Sequence, residues 1–367
     1  MSETPGTPAD DSPTQNPAPD PDEPVAGEPD RLFSRRSLIV GGGVAAATVV
    51  GGGLLAVWTS SSGSRTAPRA AAGRTIKIGY GGGVCEAPLY AAHAQGIFAK
   101  HGLNVEIVKT GGDEIKDAVG AGKIDAAPGI LFSWLKPIEQ GVDAKLAAGL
   151  HEGCLRLIVP KDGSITSAAQ LKGKTIGVAA IGDSAMSFFS LDLLDAGLHP
   201  SEDVEWRVFP GDQLGQVLAS GEVQAVAASD PNALLPTLKG EGIELTNNRK
   251  GPNAQHYCCA VAVNGRLLRE DPETARKLVT AWAEGSRWVG NNIQATAKLE
   301  VDKKYVAADQ ATIETLLRTY AFDPSATGLK GELGPSVEKF KGTGYLDKKT
   351  DVAKLAEKAY ADLGLSF

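Results

Sequence analysis

The sequence has few of the residues that form disulfide bonds or bind structural metal ions. It contains four cysteines and five histidines among 367 residues. Four cysteines, so far apart in sequence, are too few for the disulfide framework of a small secreted domain. No CxxC spacing occurs, so a zinc ribbon or a thioredoxin-type redox motif has no support.

The first thirty residues lack both basic and aromatic side chains, and they carry eight acidic residues and eight prolines. Such a segment cannot bury enough apolar surface to offset its chain entropy, so we predict that residues 1–33 form a disordered tail. The tail accounts for the net charge of −7, because residues 31–367 sum to +1. This balance favours neither a nucleic acid nor an anionic membrane surface as a partner.

A paired arginine follows the tail. Arg35 and Arg36 precede an uncharged run of 22 residues, Ser37 to Trp58, which six glycines make only moderately apolar. This combination is typical of a twin-arginine export signal, which directs a folded protein out of the cytoplasm. An ordinary membrane anchor is the alternative, because the run is long enough to span a bilayer. We therefore assign residues 34–72 to a signal and linker and expect the protein to work outside the cytoplasm, with the run either cleaved or kept as an anchor.

From Arg74 onward, short β-branched segments alternate with helix-like segments and glycine-rich turns. The alternation predicts strands at TIKIGY, LNVEIV, KIDAAPG, AKLAAG and LRLIVP, with helices between them. A similar strand–helix–strand pattern spans residues 75–126 and again residues 174–225, which favours two lobes in tandem. We therefore predict a two-lobed α/β fold with mainly parallel sheet.

Four loops at the carboxyl ends of the predicted strands are the candidate ligand site, because open α/β sheets bind ligands there. They span residues 81–89, 127–134, 179–186 and 227–233. Two lobes that face each other form a cleft able to close on a small molecule. The candidate contacts are Cys85, Glu86, Phe132, Trp134, Asp183, Ser184 and Asp230.

Several of these candidates also have a plainer interpretation. Glu86 and Asp183 suit helix caps, and Phe132 and Trp134 suit either a core or a stacking platform for a planar ligand. Ser184 and the free amides at a helix start are suited to an anion. Three acids and no arginine in the loops weakly favour a cationic, amine-bearing or metal-bearing ligand instead.

The segments EAPLYAAHAQGIFAKHGLNVEIV, AVGAGKIDAAPG, LKGKTIGV and ALLPTLKGEGIEL resemble the extracytoplasmic solute-binding proteins of ABC importers. The pattern is most similar to the proteins for sulfonates, taurine, nitrate and thiamine-precursor pyrimidines, and it extends from about Arg74 to the C-terminus. The resemblance implies a type II periplasmic-binding fold with a ligand cleft. Lobe one would comprise residues 74–158 plus 262–367, and lobe two residues 159–261.

The same resemblance implies how the protein works. Asp230 would face the cleft, and the chain would capture a small solute and deliver it to a membrane permease without catalysis or a resident cofactor. We expect a monomer. An enzyme of thiamine-pyrimidine synthesis shares this fold and uses a histidine with a cysteine-rich metal site, but the export signal and the absence of a cysteine run longer than Cys258–Cys259 weigh against it. A protein that captures a metal or metal chelate is the other alternative.

Under that fold the four cysteines meet at the cleft mouth. Cys85 lies in the first loop, Cys154 near the first crossover with His151, and Cys258 and Cys259 near the second crossover. Three interpretations stay open: small buried hydrophobic residues, a disulfide between two of them, and contact with a metal or metal chelate, for which Cys85, Cys154 and Cys258 are the candidates.

Strand parity limits this cysteine hypothesis, because residues that are adjacent or three apart on a strand face opposite sides. Only one of Cys258 and Cys259 is expected to point inward. His151 and Cys154 are expected to face apart unless Gly153 breaks the strand, so the sequence makes Cys154 the stronger candidate of the two.

Overall fold

The computed structural model describes residues 74–111, 114–254 and 257–367. The predicted disordered tail and the export signal with Arg35 and Arg36 lie outside the described residues. Among the residues that are described, no helix is both long enough and apolar enough to cross a bilayer.

Ten strands form two sheets within the described residues. They are β1 (Thr75–Tyr80), β2 (Asn104–Lys109), β3 (Ala126–Ile130), β4 (Ala144–His151), β5 (Leu155–Pro160), β6 (Thr175–Val178), β7 (Glu205–Val208), β8 (Ala225–Ser229), β9 (Gly242–Asn247) and β10 (Cys259–Asn264). The first sheet has the order β2–β1–β3–β10–β4 and the second has the order β7–β6–β8–β5–β9.

The two sheets follow the same plan. In the first, β1 pairs in parallel with β2 and β3, and β10 runs antiparallel to β3 and β4. In the second, β6 pairs in parallel with β7 and β8, and β5 runs antiparallel to β8 and β9. Each sheet therefore has four strands in one direction and one against them, which confirms the predicted two-lobed α/β fold with mainly parallel sheet.

Helices connect the strands and form most of the C-terminal third. They are α1 (Ala87–Ala94), α2 (Ile97–Lys100), α3 (Glu114–Gly120), α4 (Leu135–Glu139), α5 (Ser184–Asp195), α6 (Leu214–Ala219), α7 (Leu235–Leu238), α8 (Gly265–Glu270), α9 (Pro272–Asn291), α10 (Ile293–Asp302), α11 (Gln310–Leu317), α12 (Ala326–Gly342) and α13 (Val352–Ala359). Helix α9 has a capped start: Asp271 accepts a hydrogen bond from the Thr274 amide, and Pro272 occupies the first turn.

The chain passes between the sheets twice. It leaves β4 at His151 and enters β5 at Leu155, and it returns after β9 to begin β10 at Cys259. Strand β5 thus belongs to the second sheet and β10 to the first. The chain therefore passes from one sheet to the other a few residues before the lobe boundaries near residues 158 and 261 that the resemblance implied. The first passage is a tight bend in which Gly153 has φ = 88° and Cys154 has φ = 114°.

This bend yields a prediction about Gly153. Alanine at this position adopts a positive φ, which costs about 1–2 kcal/mol, and its Cβ lies only 3.0 Å from the Tyr320 ring. Gly163 is the matched control, because it also has a positive φ, 75°, but no atom within 4 Å of an added Cβ. We expect Gly153→Ala to lower the free energy of unfolding by more than Gly163→Ala does, as measured by urea denaturation. Equal losses would show that the bend does not pack tightly against Tyr320.

Candidate functional site

A cavity of about 670 Å³ lies between the two lobes. All four predicted ligand loops line it, and both lobes contribute polar groups. Its lining includes Gly81, Cys85, Glu86, Gly129, Trp134 and Cys259 from the first lobe and Gly182, Asp183, Ser184, Ser229 and Asp230 from the second. The two sheets thus bring together the strand ends that the sequence singled out.

The first loop is organised by a buried carboxylate. Glu86 accepts hydrogen bonds from the amides of Gly81, Gly82 and Gly83 at 2.8, 2.7 and 2.9 Å and from the Tyr90 hydroxyl at 2.7 Å. Burial raises the pKa of Glu86, and these donors oppose the rise. Glu86 therefore acts as a cap that closes the glycine loop, and it occupies amides that a ligand would otherwise be able to bind.

The second loop separates its two aromatic side chains. Phe132 is fully buried and stacks on Phe340 with ring centroids 4.4 Å apart, so it belongs to the core. Trp134 is also buried but borders the cavity, and its Nε1 has no hydrogen-bond partner among the described residues. The indole packs against Gly129, where any Cβ would collide with it.

The third loop starts helix α5. Asp183 accepts a hydrogen bond from the Met186 amide at 2.8 Å and a longer one from Ala180, which makes it the N-cap. Burial raises the pKa of Asp183. Ser184, the first residue of α5, borders the cavity beside it.

Asp230, in the fourth loop, is buried and paired with an arginine. Arg156 donates from Nε at 3.0 Å and from Nη2 at 3.1 Å to the Asp230 carboxylate, and the Tyr320 hydroxyl donates to it at 2.9 Å. Burial raises the pKa of Asp230 to about 6, although Arg156 opposes the rise. Arg156 also donates to Glu244 at 2.5 Å and to the Thr319 hydroxyl at 2.6 Å.

Arg156 lies on strand β5 rather than in one of the four loops, so the loop positions did not predict it. The only signal was one basic residue inside the apolar segment LRLIVP. Its position corrects the expectation of an uncompensated acidic cleft: Asp230 is paired with Arg156, while Glu86 and Asp183 are occupied by backbone amides. The carboxylates therefore give no ground for preferring a cationic ligand.

Next to the cavity, five sulfur- and nitrogen-bearing side chains converge. The ligand atoms of Cys85, His151 and Cys259 lie within 4.8 Å of one another, and so do the sulfurs of Cys154, Cys258 and Cys259. All four cysteines are free thiols, so the structure contains none of the disulfides that the sequence left open.

Cys85 is partly exposed, and the other four side chains of the cluster are buried. Hydrogen bonds from the Cys154 and Cys259 thiols lower the pKa of Cys85, while burial raises the pKa of Cys154.

Of the two adjacent cysteines, only Cys259 borders the cavity, but the sulfur of Cys258 belongs to the same cluster. Cys258 precedes β10 and binds the His151 carbonyl through its amide at 2.8 Å, so it does not follow the alternation of the strand. The pairing of β10 with β4 also shifts register between Cys259 and Ala260. His151 and Cys154 both reach the cluster because the bend at Gly153 interrupts the strand between them.

His151, which the sequence made a weaker candidate than Cys154, has its ring positioned by a hydrogen bond and by an aromatic contact. Its Nδ1 lies 3.2 Å from the Glu152 carbonyl oxygen, and its ring stacks on Tyr320 with centroids 5.3 Å apart. The other ring nitrogen, Nε2, is buried and has no hydrogen-bond partner among the described residues.

Two α/β lobes, two crossovers and a cavity between the lobes match the fold of the solute-binding proteins of ABC importers. The alkanesulfonate-binding protein SsuA from Xanthomonas axonopodis pv. citri, whose structure contains MOPS, superimposes with a TM-score of 0.64 at 20% identity over 78% of this chain and 99% of that one. The nitrate-binding protein NrtA from Synechocystis PCC 6803 superimposes with a TM-score of 0.66 at 18% identity, over 79% and 87% of the two chains.

The aliphatic sulphonate-binding protein SsuA from Escherichia coli has a TM-score of 0.65 at 16% identity, over 76% of this chain and 91% of that one. Such identities establish the fold, and these structural relatives are binding proteins rather than enzymes.

The family model of the NMT1-like family matches residues 69–301, which is more than half of the sequence, and the chain belongs to that family. No curated protein sequence is significantly similar to it.

The Arg156–Asp230 pair leads to a prediction about stability. Arg156→Met leaves the buried Asp230 carboxylate without its charge partner, and breaking such a pair costs about 3–5 kcal/mol. Arg207→Met on strand β7, at the edge of the same sheet, is the control, because the pair of Arg207 with Glu205 is exposed and contributes about 1 kcal/mol or less. Chemical denaturation of both variants checks this, and equal losses would show that Asp230 does not depend on Arg156.

Behind the first loop, helix α10 contains a carboxyl group without a bonding partner. Glu300 is fully buried, and neither of its carboxylate oxygens has a hydrogen-bond partner among the described residues. Burial raises its pKa well above the usual value, with smaller contributions from Cys85 and Glu86. The folded protein therefore holds the Glu300 proton to higher pH than the unfolded chain does.

This carboxyl gives a prediction with a definite sign. Because its pKa is raised on folding, Glu300 lowers stability as the pH rises above its unfolded value of about 4.3. We expect Glu300→Gln to raise the free energy of unfolding at pH 7 and to approach the wild type near pH 4. Denaturation at several pH values measures the difference, with exposed Glu357→Gln as the control. A wild-type advantage at pH 7 would contradict the assignment of Glu300 as an unpaired acid.

Proposed function

We propose that this protein is the solute-binding component of an ABC importer, which captures a small solute outside the cytoplasm and delivers it to a membrane permease. The observation that carries the proposal is the cavity between the lobes, which all four strand-end loops line. A site that both lobes share binds its ligand most tightly when the lobes close on it. The twin-arginine export signal predicted at Arg35 and Arg36 supports an extracytoplasmic location.

The contacts between the lobes suggest where closure pivots. Arg156 of β5 donates to Thr319 after α11, and Tyr320 donates to Asp230 after β8, so both contacts join the lobes beside the first crossover. Arg249 adds a third link by donating to the Thr319 carbonyl oxygen at 2.6 Å. We propose that these bonds persist while the loops at the cavity approach one another.

The polar groups of the cavity support a solute that accepts hydrogen bonds. The Trp134 Nε1–H lacks a partner among the described residues, and the start of helix α5 at Ser184 carries partial positive charge. The nearby carboxylates are already bonded to amides or to Arg156. A sulfonate-, nitrate- or pyrimidine-like solute fits this arrangement.

A thermal-shift screen tests the proposal. Sulfonates, nitrate and pyrimidines are added to the purified chain, and a solute at 100 times its dissociation constant adds about 2.7 kcal/mol to the free energy of unfolding. We expect Ser184→Trp to abolish the shift, because the indole fills the cavity, and Ser164→Trp, on an exposed turn, to preserve it. A shift that survives Ser184→Trp would place the solute elsewhere. The absence of a shift with every solute would count against these solute classes.

A further inference from the structure

We propose that Cys85, His151 and Cys259 bind a thiophilic metal ion of the Zn(II) or Cu(I) class beside the cavity. The three side chains come from the first loop and from the two crossovers, and they supply two sulfurs and one imidazole nitrogen. This site goes beyond solute transport, because the ion binds whether or not a solute is present.

The spacing of the donors suits a single ion. Zinc binds sulfur at about 2.3 Å and imidazole nitrogen at about 2.0–2.1 Å, so tetrahedral ligands lie about 3.4–3.8 Å apart. The donor atoms of Cys85, His151 and Cys259 lie within 4.8 Å of one another. Side-chain adjustments of about 1 Å therefore suffice, without rearrangement of the backbone.

His151 provides an independent indication of a ligand. The Glu152 carbonyl oxygen lies 3.2 Å from Nδ1, which places the ring proton there and leaves a lone pair on Nε2. Nε2 is buried and has no hydrogen-bond partner among the described residues. A histidine whose Nδ1 donates to a carbonyl while Nε2 is left free matches the second-shell arrangement of metal ligands. A bound ion satisfies the buried nitrogen.

The cleft-side group is favoured over the inner group of Cys154, Cys258 and Cys259. Cys85 and Cys259 border the cavity, which gives an ion a path from solvent, whereas Cys154 and Cys258 lie farther inside. The inner group also contains no imidazole. With three protein ligands, the ion keeps a position open toward the cavity for water or for a group of the solute.

The donor set also defines the class of ion. Thiolate and imidazole ligands select soft or borderline ions such as Cu(I) and Zn(II), whereas Mg²⁺ and Ca²⁺ require oxygen ligands. Zn(II) and Cu(I) share this ligand chemistry, so a test must include each of them.

The first experiment titrates the full chain, stripped with chelator and kept reduced, with Zn(II) and separately with Cu(I) against a chromophoric chelator. We expect one tightly held ion per chain and no binding of Mg²⁺. Cys85→Ala and His151→Phe should each weaken binding by at least about 100-fold. Loss of a group that only orients a metal ligand weakens binding by up to about 100-fold, so loss of a ligand itself should cost at least as much.

Cys258→Ala is the matched control, because it removes a thiol of the same cluster outside the proposed ligand set and should change affinity far less. Stoichiometric binding that survives Cys85→Ala and His151→Phe would overturn the assignment, as would the absence of tight binding of either ion. Circular dichroism of each variant shows whether it is folded.

The second experiment uses the unmodified chain, so it does not depend on the folding of any variant. Cys85 is the partly exposed thiol of the cluster, and its alkylation by iodoacetamide is followed by peptide mass spectrometry. A bound ion should slow Cys85 alkylation at least tenfold, and chelator should restore the rate. An unchanged rate under saturating metal would contradict the site. Because no solute is used, failure here leaves the transport proposal untouched, and failure of the solute screen leaves this site standing.

Discussion

The meeting of the two crossovers is the constraint on which the rest of the structure depends. The Cys258 amide donates to the His151 carbonyl oxygen at 2.8 Å, and the Asp230 amide donates to the Cys154 carbonyl oxygen at 2.9 Å. The first bond joins the chain leaving the first sheet to the chain returning from the second, and the second bond ties the start of β5 to the end of β8. They keep the antiparallel strands β5 and β10 in place, and those strands align the loops around the cavity.

Burial at this junction explains the chemistry of the cleft. Asp230 borders the cavity yet is shielded from solvent, and a buried carboxylate requires a charge partner, which Arg156 supplies. Free thiols and the unpartnered imidazole nitrogen of His151 lie in the same buried region beside the cavity. The Arg156–Asp230 charge pair and the cysteine–histidine cluster therefore share one small region beside the cavity.

Much of the fold could be predicted because its signals are local. TIKIGY and LRLIVP form β1 and β5 as expected, and the strand ends place residues such as Asp183 and Asp230 around one cavity. Strand parity did not predict that Cys258 and Cys259 share one cluster, because Cys258 precedes the strand and only Cys259 borders the cavity. Arg156 escaped notice because its role depends on Asp230, which is 74 residues away in sequence.

The sequence by itself determined the alternation of strands and helices, the duplicated lobe pattern and the loops that form the cleft. Hydrophobic periodicity and turn residues act over short stretches, so they can be interpreted without a partner. Only the tertiary structure decided which carboxylates are already bonded and which side chains share a site with His151. Those outcomes depend on contacts between distant segments and on positive φ angles at Gly153 and Cys154, which turn both residues out of the strand pattern.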